Sequence, residues 1–178
     1  IMRFNPDGTG GEIFATGLRN SVGLTWNSKT KDLWATDNGR DWLGDNLPPD
    51  EVNIIKENKD YGWPYCYGDK IPDPEFSNLE RCQNTIAPIV ELQAHSAPLG
   101  LAFYEGKMFP PDYQGDLFIA FHGSWNRTIP TGYKVVRINM KDGEPQEVED
   151  FASGWITVRK KYGRPVGVLI GKKGEMYI

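Results

Sequence analysis

Two arginines stand at matching places in the sequence, each shortly before an apolar segment. Arg19 lies in the tract ATGLRNSVGL at residues 15–24, and Arg164 lies in GRPVGV at residues 163–168. A guanidinium offers a planar fork of donors that suits carboxylates or adjacent carbonyl oxygens, and the neighbouring Asn20 adds a donor and an acceptor. Because their positions match, we expect the two arginines to converge on one site for an anionic ligand.

An acidic tract follows at residues 36–64, where glycines separate the carboxylates. Calcium takes about six to eight oxygens from carboxylates and backbone carbonyls, and tight glycine turns can present both kinds. The spacing differs from that of an EF-hand loop, so a calcium site and a solvated acidic loop both stay open as interpretations. The acidic residues concerned are Asp37, Asp41, Asp45, Asp50 and Glu51.

The chain contains two histidines and two cysteines. His122 ends an apolar strand pattern and is predicted to be a rim or core histidine rather than a general base. Cys66 and Cys82 lie in one insertion, and a disulfide between them would remove on the order of 3 kcal/mol of denatured-state entropy. Two cysteines alone do not establish an oxidising compartment, so two free buried thiols are the alternative.

Internal repeats indicate how these residues are positioned. The tract RFNPDGTGGEIFATG at residues 3–17 is echoed by RINMKDGEPQEVEDFASG at residues 137–154. The segments SVGLTW, PLGLAFY and PVGVLI each start an apolar strand, followed by a hairpin and a second alternating strand. They recur about every seventy residues, which fits a unit of four short antiparallel strands with insertions in the loops.

The composition favours a turn-rich all-β protein without long helices. The chain has 20 Gly, 13 Pro and 12% aromatic residues, and it contains no apolar run long enough to span a membrane. A net charge of −4, with Lys and Arg scattered along the chain, argues against a nucleic-acid binder. Because closing a propeller takes roughly four to eight blades, we expect residues 1–178 to form a single domain that is a fragment of a larger β-propeller.

The motifs resemble the glucose/sorbosone dehydrogenase family of soluble sugar dehydrogenases that depend on pyrroloquinoline quinone (PQQ). The segments GLRN, TDNG, DEVN with YGWP, SAPLGLAFY and GRPVGV occur in the family's order over nearly the whole chain. The stretch FHGSWNR and the paired cysteines favour the branch similar to sorbosone dehydrogenase. The resemblance implies a partial six-bladed propeller, here about two and a half to three blades of four-stranded antiparallel sheet, with PQQ lying on a Ca²⁺ ion at one axial end.

The resemblance also assigns ligand-binding residues. The family's calcium is held by two successive backbone carbonyls, which map to Gly39 and Arg40. An arginine that matches Arg164 binds a cofactor carboxylate, whereas a second family arginine is replaced here by Val166. The cofactor contacts implied by the resemblance are Arg19, Asn20, His95, Arg127 (with Asn126 as the other register) and Arg164.

The resulting hypothesis is a PQQ- and Ca²⁺-dependent dehydrogenase of a sugar, aldose or sugar aldehyde that transfers hydride to the quinone. Electrons would pass to an external quinone or cytochrome. The family's general base is a histidine from an earlier blade, so no catalytic residue is expected in this chain, and the chain alone is expected to be inactive. The family and the possible disulfide imply a periplasmic or secreted protein.

Two alternatives belong to other classes. One is a non-catalytic propeller that binds a ligand or a protein, which the replacement at Val166 leaves open. The other is a calcium-dependent propeller hydrolase of the lactonase type. That type needs side-chain carboxylates and Asn converging on the axis, whereas Arg19 and Arg164 favour an anionic ligand.

Overall fold

The computed structural model describes all of residues 1–178, and its regular structure is almost entirely β. In chain order the elements are β1 Met2–Arg3, β2 Glu12–Ile13, β3 Ala15–Thr16, β4 Leu24–Trp26, β5 Leu33–Asp37, β6 Asp50–Ile55, β7 Lys59–Asp60, β8 Cys66–Tyr67, β9 Ile71–Pro72, α1 Leu79–Gln83, β10 Val90–Leu92, β11 Pro98–Phe103, a 3₁₀ turn Pro111–Tyr113, β12 Leu117–Phe121, β13 Lys134–Lys141, β14 Glu144–Ala152, β15 Leu169–Ile170 and β16 Met176–Tyr177.

Two four-stranded antiparallel sheets form the centre of the molecule. The first has the strand order β10-β6-β5-β4 and the second has the order β11-β12-β13-β14, so each follows the chain as a meander. β4 begins at Leu24, the last residue of the SVGL segment, and β11 contains the PLGL segment, so the first two predicted repeats each correspond to one four-stranded sheet, while the third lies at the two-stranded β15-β16 sheet. The prediction of an all-β protein with four-stranded antiparallel units is confirmed.

The two sheets pack face to face. Because side chains alternate between the two faces of a strand, every second residue of these strands points into the layer between the sheets. In β5, Trp34 points into the layer between the sheets, where its ring meets that of Phe103 edge to face at a centroid distance of 5.3 Å. The buried residues of this layer come from both sheets. They are Trp34, Val52, Leu92, Leu101, Phe103, Leu117, Ile119, Phe121, Val136 and Ile138.

The outer faces of both sheets are also covered. Ala35 and Ile55 pack against the N-terminal segment, which contributes Phe14. On the second sheet, Phe118 packs with Tyr104 in an aromatic cluster that reaches β15 and β16. Burial on both faces explains why β12 is a continuous apolar run, LFIAF, rather than an alternating one.

The first strands of successive repeats lie side by side. Thr36 Oγ1 donates to the Leu99 carbonyl at 2.9 Å, and the Gly100 amide donates to the Val166 carbonyl at 2.8 Å. Only glycine allows this approach, since a Cβ on Gly100 would lie 2.7 Å from Gly167 Cα. The loops that precede these strands therefore meet at one end of the molecule.

The insertion between β6 and β10 contains β7, β8, β9 and α1. A disulfide joins Cys66 and Cys82, whose Cα atoms are 5.9 Å apart, so the predicted pairing is confirmed and no free cysteine remains. Asn78 caps α1 by accepting a hydrogen bond from the Arg81 amide at 3.0 Å. None of the helices has the length and apolar character needed to cross a membrane.

Candidate functional site

A polar cavity of about 300 Å³ opens where the loops preceding β4 and β11 meet. Its wall contains four of the residues predicted to bind ligands, namely Arg19, Asn20, Gly39 and His95. These residues come from three separate segments of the chain. The structure therefore brings together residues that lie up to 95 − 19 = 76 positions apart in the sequence.

A buried carboxylate fixes the loop that carries Arg19 and Asn20. Asp37 closes β5 and accepts hydrogen bonds from the Arg19 amide at 2.9 Å and from the Asn20 amide at 2.7 Å. The Ser21 hydroxyl donates to the same carboxylate at 3.0 Å. Burial raises the pKa of Asp37, while these hydrogen bonds act in the opposite direction. The backbone is thus held in place, and the side chain of Asn20 stays exposed.

The Arg19 guanidinium rests on two successive backbone carbonyls. Its Nη1 donates to the Asn38 oxygen at 3.1 Å and to the Gly39 oxygen at 2.9 Å, and its Nη2 lies 3.7 Å from Asp41 Oδ2. The family resemblance implies a calcium ion at the carbonyls of Gly39 and Arg40, and that placement stays a prediction. In the structure, the carbonyls that converge on one cation are those of Asn38 and Gly39.

The side chain of Arg40 turns away from this point. It pairs with the buried Asp73 at 2.9 Å and with Glu75 at 2.8 Å, and it lies over the ring of Phe76. The predicted role of Arg40 concerns its backbone carbonyl. None of the contacts described for its side chain involves that carbonyl. The guanidinium anchors the loop to the disulfide-containing insertion.

Asp50 links the two loops that form the cavity. It is 2% exposed, its Oδ1 accepts a hydrogen bond from the Gly39 amide and its Oδ2 accepts one from the Ala97 amide, both at 2.9 Å. Burial raises the pKa of Asp50 to about 6. The sequence suggests Asp50 as a calcium ligand, but both of its carboxylate oxygens accept hydrogen bonds from backbone amides instead.

The other carboxylates of the acidic tract do not converge either. Asp45 accepts a hydrogen bond from the Thr128 amide at 3.0 Å, and Glu51 accepts one from the Gly68 amide at 2.8 Å. The structure contains no group of three or more His, Cys, Asp or Glu side chains that could hold a metal ion. A calcium ion at this site would depend on backbone carbonyls, as the family resemblance implies.

His95 is buried in the cavity wall with positive backbone φ of 65°. Its Nε2 lies 2.8 Å from the Gly44 carbonyl, which can only accept, so Nε2 carries the proton. Nδ1 is then the acceptor for Asn126 Nδ2 at 3.4 Å. His122 lies apart, with Nδ1 at 3.2 Å from the Pro165 carbonyl.

Arg164 supports the cavity from behind its wall. It donates to the Gly123 carbonyl at 2.6 Å and to the Tyr133 hydroxyl at 2.8 Å, and Gly123 and Ser124 line the cavity. Arg19 and Arg164 thus make similar contacts, because each binds carbonyls that follow the second strand of a sheet. The Arg164 side chain itself does not reach the cavity lining.

Arg127 also lies outside the cavity lining. Its guanidinium donates to the Ala94 carbonyl at 3.1 Å and to Asn46 Oδ1 at 3.0 Å, so it joins the loop before β11 to the acidic tract. Its neighbour Asn126, the other register considered for this position, does line the cavity. The predicted contact of Arg127 with a cofactor stays a prediction.

Two features of the site are tertiary contacts that the sequence does not show. Asn126 Nδ2 donates to Asp41 Oδ1 at 2.6 Å, although the two residues are 85 positions apart. Trp42 and Trp125 stand next to this pair with 79% and 65% of their surfaces exposed. No local sequence pattern connects these residues, and the available signal is that each tryptophan stands beside a polar candidate residue, Trp42 after Asp41 and Trp125 before Asn126.

Stacked four-stranded antiparallel sheets, with a polar cavity at one end of their first strands, define an all-β protein built from repeated antiparallel sheets. The chain belongs to the TrAA12-like family, which it matches over residues 3–178. A solved structure of carbohydrate-active enzyme family AA12 from Trichoderma reesei has the same fold, with a TM-score of 0.75 and 23% sequence identity. That comparison covers 91% of this chain and 50% of the Trichoderma chain.

Two curated relatives match most of this chain, and one of them is named as an enzyme. An uncharacterised protein of Borreliella burgdorferi is 44% identical over 170 residues, which is 93% of this chain and 45% of the relative. A pyrroloquinoline quinone-dependent pyranose dehydrogenase of Coprinopsis cinerea is 28% identical over 160 residues, which is 71% of this chain and 21% of the relative. The chain thus spans less than half the length of these two curated relatives. The predicted relationship to PQQ-dependent sugar dehydrogenases is confirmed.

Proposed function

We propose that the protein to which this chain belongs is a PQQ- and calcium-dependent dehydrogenase of sugars or aldoses, of the glucose- or sorbosone-dehydrogenase type. The observation that carries the proposal is the meeting of Arg19, Asn20, Gly39 and His95 at one polar cavity. Membership of the TrAA12-like family and similarity to a PQQ-dependent pyranose dehydrogenase support it. The substrate would be a sugar or sugar aldehyde.

The cavity suits a calcium ion through its backbone oxygens. Asn38 and Gly39 already present their carbonyls to the positive charge of Arg19, with Asp41 nearby. A hard cation prefers oxygen ligands of this kind. We propose that calcium binds the carbonyls of Gly39 and Arg40. The Gly39 carbonyl also accepts a hydrogen bond from the Arg19 guanidinium, together with the Asn38 carbonyl.

The positive groups of the cavity suit an anionic cofactor. PQQ carries carboxylates, and a chain of net charge −4 must gather cations locally to bind it. Arg19 and Asn20 would bind the quinone side, Arg164 would supply charge from behind the wall, and Arg127 would do so beside the His95 loop. When bound, PQQ supplies the hydride acceptor and calcium polarises its carbonyl.

The general base is proposed to lie outside residues 1–178. Both ring nitrogens of His95 already have partners, and Nδ1 of His122 contacts the Pro165 carbonyl. Residues 1–178 would then be a single domain forming one part of a six-bladed propeller. The electron acceptor would be an external quinone or cytochrome, and the Cys66–Cys82 disulfide supports a periplasmic or secreted location.

The test uses the full-length protein with PQQ and CaCl₂ added. We expect the absorbance of PQQ to shift on binding and a redox dye to be reduced with at least one member of a panel of aldoses. Arg19→Ala is expected to weaken PQQ binding by more than tenfold. Arg3→Ala is the matched control, because Arg3 is an exposed arginine that pairs with Glu12 and Glu57 away from the cavity.

Three outcomes separate the proposal from its rivals. No change in the PQQ spectrum, with the fold intact, would indicate a non-catalytic binding propeller. Hydrolysis of lactones that depends on calcium but not on PQQ would indicate a lactonase-type enzyme. PQQ binding without dye reduction on any sugar would overturn the proposed substrate class.

A further inference from the structure

Trp42 and Trp125 form an exposed aromatic pair at the mouth of the cavity. Their ring centroids are 5.6 Å apart and the rings are nearly perpendicular, at 82°. Trp125 lines the cavity, and Trp42 directly follows Asp41, which lines it too. Tryptophan gains more from burial than almost any other side chain, so two adjacent and largely exposed indoles call for an external ligand.

The two loops that carry the indoles are tied to each other by polar contacts. Asn126 Nδ2 donates to Asp41 Oδ1 at 2.6 Å, immediately beside both tryptophans. The Thr128 amide donates to Asp45 Oδ1 at 3.0 Å. The two loops therefore hold the rings in place, which lowers the entropic cost of ordering the rings when a ligand binds.

The backbone at Trp42 supports the same conclusion. Its φ is 74°, in the left-handed region that a bulky residue seldom adopts. Such a conformation persists only where the surrounding contacts enforce it, and here it holds a large ring out in solvent. A side chain kept exposed against both its backbone preference and its hydrophobicity is a mark of a binding surface.

The surroundings of the rings identify the chemistry of the ligand. Flat apolar faces stand beside the amide of Asn126, the carboxylate of Asp41 and the exposed amide of Asn20. A pyranose ring has an apolar C–H face for an indole and an edge of hydroxyls for amides and carboxylates. Asp41 and Asn126 already bind each other at 2.6 Å, and their remaining donor and acceptor capacity faces the same side as the indoles, which suits hydroxyls better than the apolar side chains of a peptide.

We propose that Trp42 and Trp125 form a platform that stacks against a pyranose ring at the mouth of the cavity, with Asp41 and Asn126 binding its hydroxyls. The choice of a sugar rests on the proposed function, whereas binding to the platform needs neither PQQ nor calcium. The platform therefore gives the protein a sugar-binding site that can be measured without turnover.

The experiment titrates the full-length protein, free of PQQ, with D-glucose and with cellobiose, by calorimetry and by tryptophan fluorescence. We expect saturable binding, a Kd raised at least tenfold by Trp42→Ala or Trp125→Ala, and a Kd within about threefold of wild type for the corresponding Phe variants. Trp26→Ala is the matched control, since Trp26 is 63% exposed but lies on β4 away from the platform.

The outcomes distinguish this inference from the proposed function. Sugar binding that depends on both tryptophans, without any binding of PQQ, would keep the platform and refute the dehydrogenase. Turnover with PQQ whose KM is unchanged by both Ala variants would refute the platform alone. A change in oligomeric state on replacing the tryptophans, with sugar affinity unchanged, would show a protein-binding surface and overturn the inference.

Discussion

At the scale of single residues, Glu51 is a buried carboxyl group without a cation beside it. Its Oε1 accepts a hydrogen bond from the Gly68 amide at 2.8 Å and its Oε2 accepts one from Asn53 Nδ2 at 3.0 Å. Burial raises the pKa of Glu51 to about 7, and the negative charges of Asp37 and Glu91 act in the same direction. The folded protein therefore keeps this proton at pH values where the unfolded chain has lost it.

Glu51 should make the protein less stable as pH rises. Its stabilising contribution is complete below the unfolded pKa of about 4.5 and is lost as pH rises through the folded pKa of about 7. The total change is on the order of 3 kcal/mol. We expect Glu51→Gln to reduce the pH slope of the unfolding free energy and to raise stability at pH 8, as measured by urea denaturation between pH 5 and pH 8.

The neighbourhood of Glu51 can accept this substitution. Asn53 Oδ1 is buried without a hydrogen-bond partner, so an amide at position 51 gains an acceptor once the Asn53 side chain rotates. Glu147→Gln, on the exposed strand β14, is the control and should leave the slope unchanged. Equal slopes for wild type and Glu51→Gln would show that other groups, such as Asp50, account for the pH dependence.

The residues of the site were only partly predictable from the sequence. Arg19 and Asn20 could be predicted because they precede a repeated strand, whereas Gly39 and His95 follow only from the family resemblance; all four line the cavity. The role of Asp50 could not be predicted, since a carboxylate in an acid-rich tract looks the same whether it binds a cation or a backbone amide. The resemblance places a basic residue at Arg127 or Asn126 in the cofactor site, but the contacts of Arg127 with Ala94 and Asn46 are tertiary and do not follow from the sequence.

At the scale of elements, the close approach of β11 to the third repeat depends on Gly100. A Cβ at this position would lie 2.7 Å from Gly167 Cα and 3.0 Å from the Val166 oxygen, and both are backbone atoms that cannot rotate away. We expect Gly100→Ala to separate the strands and to lower the unfolding free energy by about 1–3 kcal/mol. Thermal and urea denaturation of the full-length variant would measure the loss.

Gly167 offers a matched control for the same contact. A Cβ on Gly167 would have no atom within 4 Å, so Gly167→Ala should leave stability unchanged or raise it slightly by restricting the unfolded chain. Equal effects of the two substitutions would mean that the strands do not approach as closely as described. The comparison thus tests the arrangement of the first strands directly.

The disulfide-containing insertion is expected to owe part of its stability to the cross-link. Cys66 and Cys82 are 16 positions apart, and closing a loop of that length stabilises a protein by about 3 kcal/mol. The double variant Cys66→Ala/Cys82→Ala should lose a similar amount in urea denaturation, and the reduced wild type should match it. A loss below about 1 kcal/mol would show that α1 and its flanking strands hold the insertion without the bond.

The elements differ in how far the sequence predicts them. β5 and β12 follow from apolar patterns bounded by turns, and the repeat places each in its sheet. β8, β9 and α1 could not be predicted, because segments of two to five residues carry too little periodicity for assignment. Their positions depend on the disulfide and on contacts such as the pair between Arg40 and Asp73.

At the scale of the whole molecule, the two outer flanks expose apolar side chains, whereas the apolar side chains between the two central sheets are buried. Met2 and Ile13 are exposed on the N-terminal flank, and Val166 and Leu169 are exposed on the C-terminal flank. Each flank carries a two-stranded sheet, β1-β2 on one side and β15-β16 on the other. This pattern is what the proposed propeller requires, because each incomplete sheet would pair with further strands of the ring.

The isolated 178-residue chain should therefore associate with itself, whereas the full-length protein should be monodisperse. We expect light scattering after size exclusion to show oligomers of the isolated chain at micromolar concentration, together with binding of a hydrophobic dye. Leu169→Lys should reduce this association yet destabilise the full-length protein, in which the position would be buried. Val158→Lys, at a fully exposed position, should change neither. A monomeric isolated chain that melts in one sharp transition would contradict the proposed division of the propeller.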